Sequence, residues 1–458
     1  MTPWFGEDRV LSALAAALST SPADQVEISA TSRVAHHTRF AGDRIHQAQS
    51  IIECQIMVRA VVGTGSARVA VNGLDQVRRA VVRAGELAKA RDGVVGTGRP
   101  YDVADDTVVP DHAGLWYEAS EHWDVGTRSR QAGAIMDEAR MAGGSVNGTL
   151  HTAVTELAVV TTRGTRCHAS ATEAGFTMTV RCGDASSYMG DLGRDASTLD
   201  IERRALEAIG STSNVREIVP VPDGVHDVVF GGLAAGELIG FVPDFGFTAP
   251  AYRAGIGLVA QRPGEQIAPE SVTIADDARS AIGLAFPFDF EASPKQRVDL
   301  VLNGRVGATV SDRASAYESG GVSTGHASIG REQSPEPACA NLVMTEGTQS
   351  EEELIGGVER GLYVQRLWYN RLVDVETGTV VGTSRDACFL IEDGQRTKGL
   401  AGGRFNESVI GALGRIDGIG GQRVSQAIPN IWNSCISAPA IRVRGFRFGT
   451  RTRDEESS

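Results

Sequence analysis

One stretch, from Val225 to Pro243, constrains the chain most. Val225 to Phe230 is an apolar run closed by the pair Gly231-Gly232, which reads as a short buried strand ending in a tight turn. Leu233 to Val242 then reads as a short helix. Ala234, Leu238 and Phe241 lie on one stripe and Ala235, Ile239 and Val242 on the next. Such a helix is apolar nearly all round, so it must be buried, and Pro243 stops it. A buried strand, a glycine turn and a buried helix form a scaffold that often carries reactive side chains. Here only Glu237 is ionisable.

At 458 residues, with 41% hydrophobic and 22% charged residues, the chain has room for two or three domains with ordinary cores. No apolar run approaches the ~18 residues a membrane span needs. The start, MTPWFGEDRV, carries acids early, which predicts no secretory signal. The six cysteines, Cys54, Cys167, Cys182, Cys339, Cys388 and Cys435, include no CxxC pair. Reduced thiols in a cytoplasm fit that scatter better than disulfides or a zinc ribbon. A net charge of −13 argues against nonspecific binding of nucleic acid or anionic membrane.

Along the chain, Glu7 to Ser19 reads as a helix. Strands follow at Gln25–Val34, Arg44–Ser50, Ile52–Val62 and Ala67–Val71, and Asp75 opens a helix to Arg91. After a loop with Gly98, Pro100 and Pro110 the pattern recurs: a helix at Thr127–Ala142, strands at Ser145–Thr152, Thr155–Thr162, Thr165–Thr172 and Gly175–Cys182, and a helix from Asp200 to Ile209. Leu74-Asp75 with Arg78-Arg79-Ala80 is mirrored by Leu199-Asp200 with Arg203-Arg204-Ala205. We therefore expect an α+β domain over residues 1–218, duplicated internally as α-β-β-β-β-α in halves 1–95 and 115–215. VPVPDG, residues 219–224, is the expected linker. Residues 225–449 carry hairpin signals, notably Asn303-Gly304 and Asp393-Gly394, and predict a mainly antiparallel β domain, barrel-like or sandwich-like. The polar residues 450–458 are an expected frayed tail.

Taken together, the SRVAHHTRFAGDRIHQAQ region, the strand–Gly–helix segment and the C-terminal SAPAIRVRGF resemble the TldD/TldE (PmbA) modulator-of-gyrase family, heterodimeric zinc metallopeptidases. In the catalytic TldD-type subunit the strand–Gly–helix segment ends in HExxxH. Laid on this sequence without gaps, that pattern falls on Gly240, Phe241 and Phe245, none of which binds zinc or moves a proton. The resemblance thus implies a TldE-type subunit with no catalytic or metal residue of its own. It also implies a zinc-bearing TldD-type partner (or, failing that, a homodimer) and unfolded peptides as substrates.

Other candidates compete with that reading. No two of the nine histidines stand three or four apart, so no helical zinc pair exists. Cys167-His168 and Cys182 could meet across neighbouring strands as ligands, or be a core thiol and a surface imidazole. The family's catalytic subunits use a C-terminal cysteine as a ligand; Cys435 stands near that place but only four residues before Pro439, which favours a buried thiol. Gly321-Val322-Ser323-Thr324-Gly325 fits G-x-S-x-G but lacks the apolar strand before and the helix after that a nucleophile elbow needs. By resemblance it is the family's STGxA loop, with His326 replacing the usual asparagine, and implies that Ser323, Thr324, Gly325 and His326 lie along a substrate groove. Asp276, Asp277, Asp289 and Glu291 could hold a cation or do acid–base work, though carboxylates in a glycine-rich β domain more often fix turns. Trp368 and Tyr369 are either interface anchors or core aromatics. From another class, a stand-alone homodimeric peptide-binding or assembly protein remains an alternative, as does an enzyme whose metal ligands assemble from Cys435 and distant histidines.

Overall fold

The computed structural model describes residues 4–94, 101–109, 114–329, 335–429 and 431–449. The proposed tail, and parts of the loop with Gly98, Pro100 and Pro110, lie outside the described residues.

Six long strands build the first layer. They are β1 (Gln25–Gly42), β2 (Arg44–Val62), β3 (Gly65–Val71), β4 (Ser145–Thr161), β5 (Arg166–Cys182) and β6 (Ala185–Gly193). They form one antiparallel sheet in the order β3-β2-β1-β4-β5-β6. Each half of the repeat therefore holds three strands where the sequence reading counts four. Segments read as separate strands run on as one: Arg44–Ser50 into Ile52–Val62, Ser145–Thr152 into Thr155–Thr162, and Thr165–Thr172 into Gly175–Cys182. The third strand of the second half, β6, is one that the sequence reading omits.

Both faces of this sheet are covered. Helices α1 (Glu7–Leu18) and α2 (Val77–Arg91) pack on Ile28, Ile56 and Val160. The helices Val125–Met141 and Ile201–Ser213 pack on Leu150, Phe176 and Met178. On the opposite face Leu157, Val159, Ala169 and Ala171 meet Phe286, Phe288 and Phe290 of the C-terminal half. Glu156, wholly buried on the helical face, accepts the Phe5 and Gly6 N–H groups ahead of α1 at 3.0 and 2.9 Å. A carboxylate there satisfies orphan donors and favours the positive helix end.

The second layer is a mixed sheet of the C-terminal half. Its central strands are β8 (Gly224–Phe230) and Cys435–Phe448, paired antiparallel. Beyond β8 lie Arg360–Val364, Cys388–Glu392, Gln395–Ala401 and finally β7 (Ile218–Pro220). Beyond Cys435–Phe448 lie Asn341–Met344, Ile274–Asp277, Arg297–Leu302 and Arg305–Val306. Three pairings are parallel and the rest antiparallel, so the expected α+β class with a mainly antiparallel second half is what forms. The first residues of the expected linker are thus already a sheet edge, where Pro220, lacking an N–H, is tolerated. Asn303 and Gly304 (φ 49° and 74°) and Asp393 and Gly394 (φ 50° and 71°) make the tight turns their sequences announce. A separate three-stranded sheet, Leu367–Asp374, Thr379–Ser384 and Arg404–Ser408, stands beside it.

Candidate functional site

The strand–Gly–helix segment forms as read, but its helix runs only from Gly232 to Ile239. Gly240 closes it, and Val242–Phe245 make a separate 3₁₀ turn. Pro243 has no N–H to give to the Ile239 carbonyl, so the α-helix does not run on through it. Positions 240, 241 and 245 therefore do not share one helix face. They are also apolar: a Cβ on Gly240 would lie 2.9 Å from Ile436 Cδ1, Phe245 is fully buried, and Gly240 and Phe241 are half-buried, Phe241 against the core. A Cβ on Gly232 would lie 2.8 Å from Ala438 O, so the helix lies directly on strand Cys435–Phe448. Glu237 accepts a hydrogen bond from the Asn370 amide, and burial pushes its carboxyl up to about 7.

Cys435 sits in the same wall. It is wholly buried beside Leu192 and Leu284, and burial pushes its thiol up to about 12. A thiol that does not ionise is a poor metal ligand. Cys167 and Cys182 both belong to β5, at opposite ends of the strand, so they do not meet across neighbours. Among the described residues no three His, Cys, Asp or Glu side chains are placed to hold a metal ion. Gly240, Phe241 and Phe245 carry no nitrogen, oxygen or sulfur side-chain donor, so the residues at the zinc-motif positions do not fit zinc.

The Ser323–His326 loop is internal. Ser323 Oγ donates to Ser311 O at 3.2 Å, and His326, with no exposed surface, uses Nδ1 on Thr324 Oγ1 at 2.9 Å. Its Nε2 stands 3.3 Å from Asp276 Oδ1, while Asp276 Oδ2 accepts the Asn341 N–H at 3.0 Å. Burial alone would raise the Asp276 carboxyl; the His326 ring, Lys295 and the Asn341 N–H outweigh it and hold it well below the usual range. Gly325, at φ 76°, turns the loop between these partners. No nucleophile elbow forms.

The other carboxylates fix loops. Asp289 Oδ1 accepts the N–H groups of Glu291 and Ser293, both at 2.9 Å, and Oδ2 accepts Ala327 N–H at 2.8 Å. Glu291 accepts Tyr101 O–H at 2.5 Å and Arg313 N–H at 2.8 Å. Asp277 pairs with Arg297 at 2.9 Å. The alternation in FPFDFE explains the division of labour: Phe286, Phe288 and Phe290 wedge against the first sheet while the acids hold the wedge in shape.

Open space lies between the two sheets. A cleft of about 690 Å³ is lined by Arg33, His151 and Glu173 on one side and by Leu233, Gln426 and Trp432 on the other. It continues past Tyr188 and Gly190 into a second cleft of about 730 Å³ that reaches Gly232 and Gln365. Arg33 and His151 bind Glu173 at 2.6 and 3.0 Å. Burial would raise Glu173, but these two partners hold it well below the usual range. His37 stacks on His151 at 5.5 Å, and burial pushes its ring down to about 4. Sequence reasoning misses this floor because Arg33, His151 and Glu173 come from three strands. The signal available was a charge in the middle of each buried run.

Trp368 and Tyr369 are neither in the core nor in the clefts. They are 40% and 69% exposed, and Tyr369 adopts φ 60° at a bulge between Trp368 and Arg371. Left-handed backbone is costly for a bulky residue, and bulges re-aim side chains. Arg366 and Arg385 flank Trp368 at 4.5 and 5.2 Å.

Comparison with known proteins places these features. Residues 223–450 match the family model of the PmbA/TldA metallopeptidase C-terminal domain. A metalloprotease of Methanothermobacter thermautotrophicus is 25% identical over 226 residues, 48% of this chain and 49% of that protein, so the chain spans about half the length of the curated relative it matches. The whole fold resembles TldE from Thermococcus kodakarensis (TM-score 0.84, 19% identity, 96% of this chain and 100% of that one). It also resembles a modulator of a DNA gyrase from Thermotoga maritima (TM-score 0.78, 17% identity, 93% and 96% covered). A third match is a modulator of DNA gyrase from Bacteroides thetaiotaomicron (TM-score 0.77, 16% identity, 97% and 99% covered).

Proposed function

From the premise that the chain belongs to the PmbA/TldD metallopeptidase family, we propose that it is a TldE-type subunit without catalytic residues of its own. It pairs with a zinc-bearing TldD-type chain to form a cytoplasmic peptidase for unfolded peptides. Its part is to supply one wall of the substrate channel. The observation that carries this reading is the chemistry at Gly240, Phe241 and Phe245, where the segment that should hold zinc is broken and apolar. The clefts between the two sheets support it, since an extended peptide needs strand edges and room more than reactive groups. Among the described residues no helix is long and apolar enough to cross a membrane.

Co-expression with an HExxxH-bearing relative tests the proposal. A mixed dimer that hydrolyses an unfolded peptide, with zinc confined to the partner, is the expected result. A self-sufficient homodimer that binds peptide without cleaving it supports the assembly-protein alternative instead. Stoichiometric zinc, or robust hydrolysis by the pure chain, rules out the inert-subunit reading.

A further inference from the structure

Arg194, at the end of β6, is a buried cation without a counter-charge. Its Nη1 donates to Thr172 O at 2.9 Å, and its Nη2 to Leu284 O at 3.0 Å, Ala285 O at 2.9 Å and Asn433 Oδ1 at 3.2 Å. All four acceptors are neutral, and Nε has none. No ion pair within 4.0 Å reaches Arg194 among the described residues. Glu173, the acid whose charge it feels most, is already bound by Arg33 and His151. Burial lowers the Arg194 guanidinium to about 10, which leaves it charged at neutral pH. Buried charges are ordinarily paired, because desolvation is expensive.

A cleft of about 350 Å³ opens beside it, and Arg204 and Arg423 line the same space. The acids there are spent. Asp191 binds Arg204 at 3.0 Å and accepts the Ser425 and Leu192 N–H groups; Asp195 caps Ser197 at 2.9 Å; Glu346 binds Arg423. Of the three arginines only Arg194 has no carboxylate partner, and of the three acids only Asp195 has no arginine. Asp191, Leu192 and Ser425 also line the 690 Å³ cleft, so the arginine-lined space adjoins that cleft across these residues.

We propose that this arginine-lined space is a carboxylate receptor, which takes the C-terminal carboxylate of an extended peptide lying along β6. The proposal rests on the reading that the adjoining cleft accepts peptide. Arg204 and Arg423 meet the carboxylate at the surface of the cleft, and the field of Arg194 supports it from behind. The site would anchor a peptide by its end and leave its sequence unread.

Fluorescence anisotropy on the full chain, with a labelled unstructured decapeptide and its C-terminal amide, tests the idea. Charge-assisted hydrogen bonds of this kind predict that the acid binds about 10-fold or more tighter than the amide. Arg423→Gln should shrink the ratio of acid to amide affinity by weakening acid binding, while Arg423→Lys keeps part of it. A parallel titration with acetylglycine, read by chemical-shift changes, separates the two readings. Acetylglycine binding without any peptide binding retains the receptor and removes the channel. Equal affinity for acid and amide, or no response to acetylglycine, overturns the receptor. So does inorganic phosphate that displaces acetylglycine at equal concentration, which would mark a phosphate site.

Discussion

Restoring the zinc motif by substitution should fail, and the structure says by how much. The variant Gly240→His, Phe241→Glu, Phe245→His puts the family's residues back at the positions the resemblance assigns. At Gly240, half-buried, a Cβ would come within 2.9 Å of Ile436 Cδ1, the movable tip of a side chain, so an imidazole there costs about 1 kcal/mol, the low end of overpacking. Phe245 is fully buried in the apolar core, and an imidazole there leaves ring nitrogens without partners, at about 1–3 kcal/mol more. The total, about 2–4 kcal/mol, is a sizeable fraction of the ~5–15 kcal/mol that holds an ordinary domain together. The break between Gly232–Ile239 and Val242–Phe245 also keeps the new side chains off a common face. Urea unfolding with and without equimolar zinc, and metal content after gel filtration, measure both effects. A lower midpoint that zinc does not rescue is expected. One zinc retained per chain at an unchanged midpoint would refute the argument that this segment cannot hold the ion.

Three further outcomes follow from the same geometry. His326→Ala removes the ring that faces the buried Asp276 Oδ1, while the Ala340 and Asn341 N–H groups remain on Oδ2, and should cost about 1–3 kcal/mol in urea unfolding. Asp276 titrates below its unfolded value near 3.9 (an approximate reference), so its pairing stabilises the fold above that pH and fades as pH falls toward the lower folded value; the variant should therefore show a flatter acid limb. Replacing Trp368 and Tyr369 together by Ala should weaken the mixed dimer by about 2 kcal/mol or more if they are anchors, with thermal stability unchanged because both are exposed; sedimentation of the pair measures it, and an unaltered dissociation constant excludes them. Cys339, Cys388 and Cys435, all buried with raised thiols, should resist a thiol reagent at pH 8 in the native chain and react once urea is added.

What the sequence disclosed was local. Asn303-Gly304 and Asp393-Gly394 announced their turns because few residues tolerate positive φ. The repeat showed at its closing helices, where Leu-Asp and Arg-Arg-Ala recur at fixed spacing. Strand ends were harder to place. From Val154 to Thr161 every residue is buried, because helices cover one face of β4 and the phenylalanine wedge the other, so the period of two that marks a half-exposed strand is lost. β6 was passed over because Gly190, Asp191 and Gly193 look like a loop. The clefts could not be read at all, since their walls combine Arg33, Glu173, Leu233 and Trp432, residues brought together only by the packing of the two sheets.

The pairing of β1 with β4 joins the two repeats through the middle of one sheet, from Glu27 opposite Thr161 to Gly42 opposite Val146. Cut there, each half would expose a long row of unsatisfied amides and carbonyls flanked by apolar side chains, an invitation to self-association. Expressed alone, then, either repeat should seek a copy of itself along that seam, and two separately made halves should reassemble when mixed. Such a chain has the plan of two like units that share one continuous sheet.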